Sequence, residues 1–181
     1  MNKIIAIVGM CGSGKSIACE YYEKKGYKKV YFGGVVLEEI KKQGLDITPE
    51  NECYVRNKLR EDYGMAAMAI KSLPKIEEYA KTDNVVIDGL YSWDELVVLK
   101  EKFPKLVVIA IVVDKQIRYD RLNTRIIRPF SNEDAKKRDL NEIENMAKGG
   151  PIAFADYYIL NNGNMEIYNK DLEKITMGLE K

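Results

Sequence analysis

The 181-residue sequence contains no histidine and only three cysteines. Without histidine, the chain cannot build a serine–histidine catalytic triad or a histidine-ligated zinc site. Cys11, Cys19 and Cys53 are widely spaced and form no C-x-x-C pair, which argues against a disulfide framework and favours a reducing compartment. The chemistry that remains uses oxygen ligands, lysine, arginine and a hard metal ion.

The chain also has no long hydrophobic run and almost no net charge. The longest apolar run spans residues 106–113, far short of the roughly 20 residues needed to cross a bilayer. The amino terminus lacks the features of a signal peptide, so we expect a cytoplasmic protein that binds no membrane. A formal net charge of +1 gives no global field to attract nucleic acid. The length suits one domain, residues 1–181, with no obligate protein partner evident.

Short apolar runs alternate with longer amphipathic segments along the chain. Continuous Val and Ile runs fit strands that are covered on both faces, so the pattern predicts an α/β fold with five parallel strands. The strands are predicted at residues 3–8, 29–32, 84–87, 106–113 and 156–160. Helices are predicted at 15–25, 36–43, 50–80 with interruptions near Gly64 and Pro74, 93–102, 116–125, 133–146 and 165–179.

Helix-start patterns support three of these helices. Ser92 with Glu95, and Ser131 with Asp134, form capping-box patterns, and Thr48 precedes a proline at a first helical turn. Two connections are long enough to be insertions: residues 33–80 are almost wholly helical, and residues 126–151 are rich in charge. Both are candidates for mobile covers over a site.

The clearest motif is a complete G-x-x-x-x-G-K-S phosphate-binding loop (P-loop) at residues 9–16, placed after a predicted strand and before a predicted helix. Its glycines let the backbone wrap around an anion, and the helix N-terminus adds positive potential. Lys15 would reach the β- and γ-phosphates, and the Ser16 hydroxyl would ligate Mg²⁺. A chance glycine-rich turn is the weaker interpretation. The loop residues assigned to nucleotide binding are Gly9, Cys11, Gly12, Ser13, Gly14, Lys15 and Ser16.

Two residues near this loop have competing interpretations. Asp88 follows the third predicted strand, where its carboxylate can meet the metal beside Ser16, although an Asp before glycine is also a turn pattern. Cys11 is either an oxidisable thiol or simply a small side chain at a tolerant position. Cys19 and Cys53, on predicted helices, are expected to be packing residues.

Four arginines recur three or four residues apart, which predicts one helix face. Guanidinium groups suit phosphoryl transfer because they bind oxygens bidentately and stay charged when water is excluded. An arginine supplied to the transition state is worth about 10³ to 10⁵ in rate. Alternatively, the four arginines form a solvent-exposed helix face and pair with neighbouring acidic side chains. The arginines are Arg118, Arg121, Arg125 and Arg128.

A GTPase is disfavoured, because the chain lacks the N-K-x-D motif and its glutamines, Gln43 and Gln116, lie on predicted helices. With its P-loop, the V-V-I-D-G strand end at residues 85–89, the arginine-rich stretch and residues 154–163, the chain resembles the nucleoside-monophosphate-kinase branch of P-loop kinases. Within that branch it is similar to adenylate-kinase-related proteins close to dephospho-coenzyme A kinase. The resemblance covers nearly the whole chain.

This resemblance implies a three-layer α/β/α P-loop kinase fold that uses ATP and Mg²⁺. It implies a helical acceptor-binding insertion at residues 33–80 and a lid at residues 125–138. Arg121 would lie near the donor nucleotide. Arg125 and Arg128 would act with Lys15 as catalytic residues by bridging the transferred phosphoryl group.

The positions at which this chain differs from such relatives all belong to the region that would bind the acceptor. Such relatives carry an aspartate and an acceptor-phosphate arginine after the second strand, where this chain has Gly33, Gly34 and Leu37. They also often carry an arginine after the Asp-Gly of the third strand, where this chain has Tyr91. For a hydroxyl acceptor, Glu38 and Asp88 are only weak candidates for a general base.

Arg56 and Arg60 are the candidate acceptor-binding residues, because they lie four residues apart on one predicted helix. Surface pairing with Glu52, Glu61 or Asp62 is the alternative. The sequence thus predicts an ATP- and Mg²⁺-dependent phosphotransferase for a small molecule, in the first place a nucleoside monophosphate or related nucleotide. A dephospho-coenzyme A kinase-like hydroxyl kinase and a nucleotide-binding regulator with a degenerate acceptor site stay open.

Overall fold

The computed structural model describes residues 2–127 and 129–179, which contain five strands and nine helices. The strands are β1 (Ile4–Val8), β2 (Lys28–Tyr31), β3 (Val85–Asp88), β4 (Val107–Val112) and β5 (Tyr157–Leu160). The helices are α1 (Lys15–Lys24), α2 (Gly33–Lys42), α3 (Pro49–Tyr63), α4 (Ala67–Ala80), α5 (Trp93–Lys102), α6 (Lys115–Thr124), α7 (Asn132–Glu144), α8 (Gly149–Ala153) and α9 (Met165–Leu179).

The five strands form one parallel sheet in the order β2-β3-β1-β4-β5, which confirms the predicted α/β fold. Every residue of the central strand β1 is buried, because helices cover both faces of the sheet. Ile4 and Ala6 face a core built with α2, α3, α4 and α5. Ile5 and Ile7 face the opposite core, built with α1 and α9. After β1, the chain first builds β2 and β3 on one side of this strand and then β4 and β5 on the other side. At such a change of side, a crevice opens at the carboxyl end of the central strand.

The helix-start patterns are all confirmed. Ser92 and Ser131 each accept a hydrogen bond from the third helical residue and form complete capping boxes. Thr48 caps α3, with proline at the first helical position. Gly64 ends α3 with a positive φ of 75°, as the interruption predicted there requires.

The interruption predicted at Pro74 is wrong, because α4 continues through this residue. Proline removes the backbone hydrogen bond to the Ile70 carbonyl. Both Pro74 and Ile70 are exposed, so water can reach the freed carbonyl, while Ser72 and Ile76 on the opposite side are buried. The packing of that buried side holds the helix together.

Three further differences concern the second half of the chain and one cysteine. The short helix α8 was not predicted, since its Gly-Gly-Pro start resembles a loop. Helix α6 ends at Thr124 rather than Arg125, and the Phe130 N–H caps the Leu122 carbonyl at 3.0 Å. Cys19 is buried as expected, but Cys53 is exposed on α3, so its predicted packing role is wrong. Among the described residues, every helix is too short or too polar to cross a lipid bilayer.

Candidate active site

The P-loop joins β1 to α1 at the carboxyl edge of the sheet, and its glycines are required by its geometry. Gly9 has a φ of 148°, and a Cβ there would collide with the carbonyl oxygen of Ile111. Gly14 has a φ of 95°, and its Cβ would lie 2.6 Å from the side-chain nitrogen of Asn161. Only glycine fits either position.

Side chains behind the P-loop hold its carbonyl groups. Asn161 donates to the Ser13 carbonyl at 2.9 Å, the Tyr168 hydroxyl donates to the Gly14 carbonyl at 3.0 Å, and Arg118 donates to the Cys11 carbonyl at 3.0 Å. Because a trans peptide points its N–H opposite to its C=O, the amides that follow these carbonyls point to the other side, where an anion can bind.

Two polar groups of the P-loop, the Lys15 ammonium and the Ser13 hydroxyl, could bind such an anion. The Lys15 ammonium donates to the Met10 carbonyl at 2.9 Å. Burial lowers the pKa of Lys15, with partial compensation from Glu142. The buried hydroxyl of Ser13 has no hydrogen-bond partner among the described residues. A phosphate group would supply the acceptor for the hydroxyl and the countercharge for the ammonium.

The P-loop opens into a cleft of about 660 Å³, lined by Lys15, Ser16, Asp88, Arg121 and Arg125 among others. Burial raises the pKa of Asp88, against the opposing charges of Lys29 and Lys15. No group of three or more acidic or cysteine side chains able to hold a metal occurs in the described part of the chain. The Ser16 hydroxyl and the Asp88 carboxylate nevertheless fit Mg²⁺, because this ion is commonly held by one or two protein oxygens together with phosphates and water.

For the three arginines that the structure describes, the predicted single face is wrong, because Arg118 does not line the cleft that Arg121 and Arg125 line. Arg118 is buried and forms a two-pronged ion pair with Asp139 at 2.9 and 2.6 Å. Arg121 lines the cleft and donates to the Asn161 carbonyl at 2.9 Å. Arg125 follows the end of α6 in extended backbone, lines the cleft and lies 4.3 Å over the Phe130 ring. Arg128 lies outside the described residues.

The other predicted arginines line a second, smaller cavity of about 50 Å³. Arg56 and Arg60 of α3 and Arg138 of α7 all line this cavity. Arg56 also pairs with Glu52 at 4.0 Å, whereas Glu61 and Asp62 pair with Lys58. The remaining lining residues are Tyr31, Phe32, Gly33, Val36, Met68, Gly89, Tyr91 and Met146.

Arg60 is the least compensated cation of this arginine cavity. Its Nε atom is buried without a hydrogen-bond partner among the described residues, and burial lowers its pKa. Glu38, a candidate base, instead lines a separate cavity beside Lys71 and Lys75. Among the described residues that line the arginine cavity there is no acidic side chain.

The two cavities adjoin, since Tyr31 and Tyr91 line both of them. The loop that carries Tyr91 is held by Glu95, whose carboxylate accepts the N–H groups of Tyr91 and Ser92 at 2.7 and 3.0 Å. The Lys148 ammonium lies 4.2 Å over the Tyr91 ring.

Sequence reasoning missed Glu142 and Lys148 and did not assign Arg138 to the acceptor side. Arg138 and Glu142 lie four residues apart on α7, a spacing typical of ordinary surface pairs. Lys148 is directed inward by a turn in which Ala147 has a φ of 49°, a conformation that alanine gives no reason to expect.

Comparisons with known proteins place this site in context. A family model described as an AAA domain matches residues 5–149. A UPF0200 protein of Thermococcus gammatolerans is 37% identical over 187 residues, covering 98% of each chain. A UPF0200 protein of Methanococcus maripaludis strain C7 is 40% identical over 182 residues, covering 99% of this chain and 98% of the relative.

Solved structures of kinases share the fold. Shikimate kinase from Bacteroides thetaiotaomicron superimposes with a TM-score of 0.58 at 15% identity, covering 99% of both chains. A sugar kinase from Janibacter gives a TM-score of 0.58 at 11% identity, covering 97% of this chain and 95% of the other. The fold is therefore that of P-loop kinases, and the P-loop domain implies nucleotide binding.

Proposed function

Because this chain belongs to the UPF0200 family and has a P-loop kinase-like fold, we propose that it is an ATP- and Mg²⁺-dependent phosphotransferase for a small anionic acceptor, a nucleoside monophosphate or related nucleotide. One observation carries the proposal. The P-loop cleft and the arginine cavity adjoin across Tyr31 and Tyr91, so a donor triphosphate and an anionic acceptor can be bound side by side.

On the donor side, the P-loop amides and Lys15 would bind the triphosphate tail. Ser16 and Asp88 would hold Mg²⁺, which supplies charge neutralisation on the phosphate oxygens. Arg121 and Arg125 line the same cleft and would contact the donor nucleotide and the transferred group. The lid role of residues 125–138 and the catalytic role of Arg128 remain predictions from the sequence.

On the acceptor side, Arg56, Arg60 and Arg138 would bind the acceptor's phosphate. A cavity of about 50 Å³ suits an oxyanion group rather than a whole nucleoside. The Arg60 side chain lines this cavity and burial lowers its pKa, so an oxyanion bound there would supply the countercharge that the guanidinium lacks. Guanidinium groups bind phosphate oxygens in pairs, which fixes the orientation of the acceptor as well as its charge.

The chemistry of the cavity wall favours a phosphate acceptor over a hydroxyl acceptor. A hydroxyl must lose its proton to a base, whereas an ionised phosphate oxygen attacks without one. The described lining of the arginine cavity contains no acidic side chain to act as that base, and the candidate base Asp88 lines the P-loop cleft, where it is assigned to Mg²⁺. The hydroxyl-kinase alternative has less support for this reason.

The test measures ADP release with nucleoside monophosphates, dephospho-coenzyme A and nucleosides as acceptors. Arg60→Gln should raise the KM for the active acceptor at least tenfold and leave ATP affinity within about twofold, since the side chain lines only the acceptor cavity. Lys58→Gln is the matched control, because Lys58 lies on the same helix but pairs with Glu61 and Asp62. Triphosphate binding without acceptor-dependent turnover would favour the regulator instead.

A further inference from the structure

A buried ion cluster between α7 and α8 contacts Tyr91, a residue that lines both cavities. The Lys148 side chain is only 1% exposed, and its ammonium lies 2.6 Å from one carboxylate oxygen of Glu142. The other carboxylate oxygen accepts a hydrogen bond from Arg138 at 2.8 Å. One buried carboxylate therefore serves two cations, and the cluster keeps an excess positive charge.

A buried ion cluster of this kind is not an effective way to stabilise a fold. Burying charged groups costs several kcal/mol per ion, and apolar side chains of similar volume often stabilise a core at least as well. The cost here is raised by Lys15, because burial and repulsion by this second ammonium lower the pKa of Lys148 to about 8. An anion bound near both ammonium groups would relieve this repulsion.

The position of Lys148 indicates which anion this is. Its ammonium lies over the face of Tyr91, and Tyr91 lines both the donor cleft and the arginine cavity. In the proposed function, the phosphoryl group would move from the triphosphate to the acceptor where the two cavities adjoin, beside Tyr91. Lysine has a flexible stem with rotatable donors, so its ammonium can change partners without a movement of the backbone.

We propose that Lys148 binds the phosphoryl group during its transfer, and that Glu142 pairs with the Lys148 ammonium until a triphosphate occupies the P-loop. This inference rests on the proposed function. When the γ-phosphate binds beside Lys15, Lys148 exchanges the Glu142 carboxylate for phosphoryl oxygens, and Glu142 keeps its hydrogen bond from Arg138.

The transfer itself is balanced without a proton acceptor. The bond between the γ-phosphorus and the β–γ bridging oxygen breaks, and its electron pair leaves with ADP. A bond forms between the phosphorus and an ionised oxygen of the acceptor's phosphate. Lys148 donates hydrogen bonds to the phosphoryl oxygens throughout and keeps its proton.

Glu142 has the properties of a holding group rather than a base. Although burial raises its pKa, Lys148 and Arg138 together hold the pKa of Glu142 below its ordinary value. A carboxylate that is held in its charged form by two cations is a weak proton acceptor but an effective anchor for an ammonium.

The experiment compares calorimetric binding of the β,γ-imido analogue of ATP with that of ADP, both with Mg²⁺, in the full chain. Lys148→Gln should weaken binding of the analogue at least tenfold and change binding of ADP less than twofold, because only the analogue carries a γ-phosphate. Unchanged ADP binding also establishes that the variant is folded. Its kcat should fall at least a hundredfold with little change in the acceptor KM.

Two further variants separate this role from a structural one. Glu142→Gln removes the competitor for Lys148 and should keep or strengthen binding of the analogue, and Lys148→Arg should recover part of the affinity lost in Lys148→Gln. Lys170→Gln, which removes the cation of an exposed pair on α9, is the control and should match the wild type.

The outcomes distinguish the two proposals. A wild-type protein that binds neither nucleotide overturns the proposed function, and this inference with it. A wild type that turns over, with Lys148→Gln equal to it in analogue affinity and kcat, overturns only the role of Lys148. Equal losses of analogue and ADP binding in both Lys148→Gln and Glu142→Gln would show that the cluster is structural. This result would also overturn the role of Lys148.

Discussion

Glu95 shows how a single buried carboxyl links the stability of this protein to pH. The side chain is 0% exposed, and one of its oxygens has no hydrogen-bond partner among the described residues. Burial raises the pKa of Glu95 to about 7, although the N–H groups of Ser92 and Tyr91 oppose the shift. The folded protein therefore keeps a proton that the unfolded chain releases at the ordinary glutamate pKa.

The sign of the resulting pH dependence follows from this difference. Between the ordinary glutamate pKa and about 7, the folded state binds more protons at Glu95 than the unfolded state does. The free energy of unfolding must fall as the pH rises through this window, by about 3 kcal/mol at most, and Glu95 adds no further slope above it.

Glu95→Gln should flatten this part of the profile, because glutamine cannot titrate and its carbonyl can still accept the N–H groups of Tyr91 and Ser92. Urea unfolding at about pH 5 and about pH 8 measures the effect. Glu101→Gln changes an exposed acid on the same helix and should leave the slope intact. A variant that loses as much stability over this range as the wild type would contradict the assignment.

At the scale of elements, the Arg118–Asp139 pair attaches α7 to α6. The pair is bidentate, the Tyr119 hydroxyl also donates to Asp139 at 3.2 Å, and the same guanidinium holds the Cys11 carbonyl of the P-loop. Removing one partner leaves an uncompensated buried charge. This pair therefore connects the position of α7 to the geometry of the loop.

Arg118→Ala should lower the free energy of unfolding by about 3 to 5 kcal/mol, as measured by urea denaturation. ATP affinity should fall too, since the Cys11 carbonyl loses its donor. Lys170→Ala breaks the exposed pair with Glu166 and should cost no more than about 0.5 kcal/mol. An Arg118→Ala variant as stable as this control would show that the pair contributes nothing measurable.

The strands and the P-loop could be predicted because their signals are local. Continuous apolar runs define β1 and β4, and the loop motif lies between a strand and a helix in one stretch of sequence. Helix α6 was predicted to within one residue at each end, but two contacts at its end were not: the Thr124 hydroxyl donates to the Asp120 carbonyl, and the Phe130 N–H donates to the Leu122 carbonyl. Periodicity cannot reveal either contact.

The acceptor-side cavity could be predicted only in part, because three distant segments build it. The spacing of Arg56 and Arg60 identified two of its lining residues, but Arg138 comes from α7 and Tyr91 from the loop after β3. Lys148 gave no signal, since only the turn at Ala147 directs it inward. Residues brought together by folding carry no common pattern in the sequence.

At the scale of the whole molecule, nucleotide binding should couple to global stability. A ligand at 100 times its Kd stabilises the folded state by about 2.7 kcal/mol. MgATP should therefore raise the unfolding temperature of the wild type. Lys15→Ala should abolish this rise, because the side chain is the cation that anchors the triphosphate.

Lys24→Ala is the matched control for this measurement, because Lys24 is an exposed lysine on the same helix α1. It should keep the full shift with MgATP. Scanning calorimetry with and without nucleotide gives both values, and a shift that persists in Lys15→Ala would remove the P-loop lysine from triphosphate binding.

The chain's single tryptophan occupies an informative place. Trp93 begins α5, meets the Phe154 ring edge-to-face at 5.5 Å and packs against Gly150, two residues beyond Lys148. Its indole emission therefore provides an intrinsic optical reporter of the α8 segment, so that stopped-flow fluorescence can follow this part of the molecule in real time, without a dye or an engineered label.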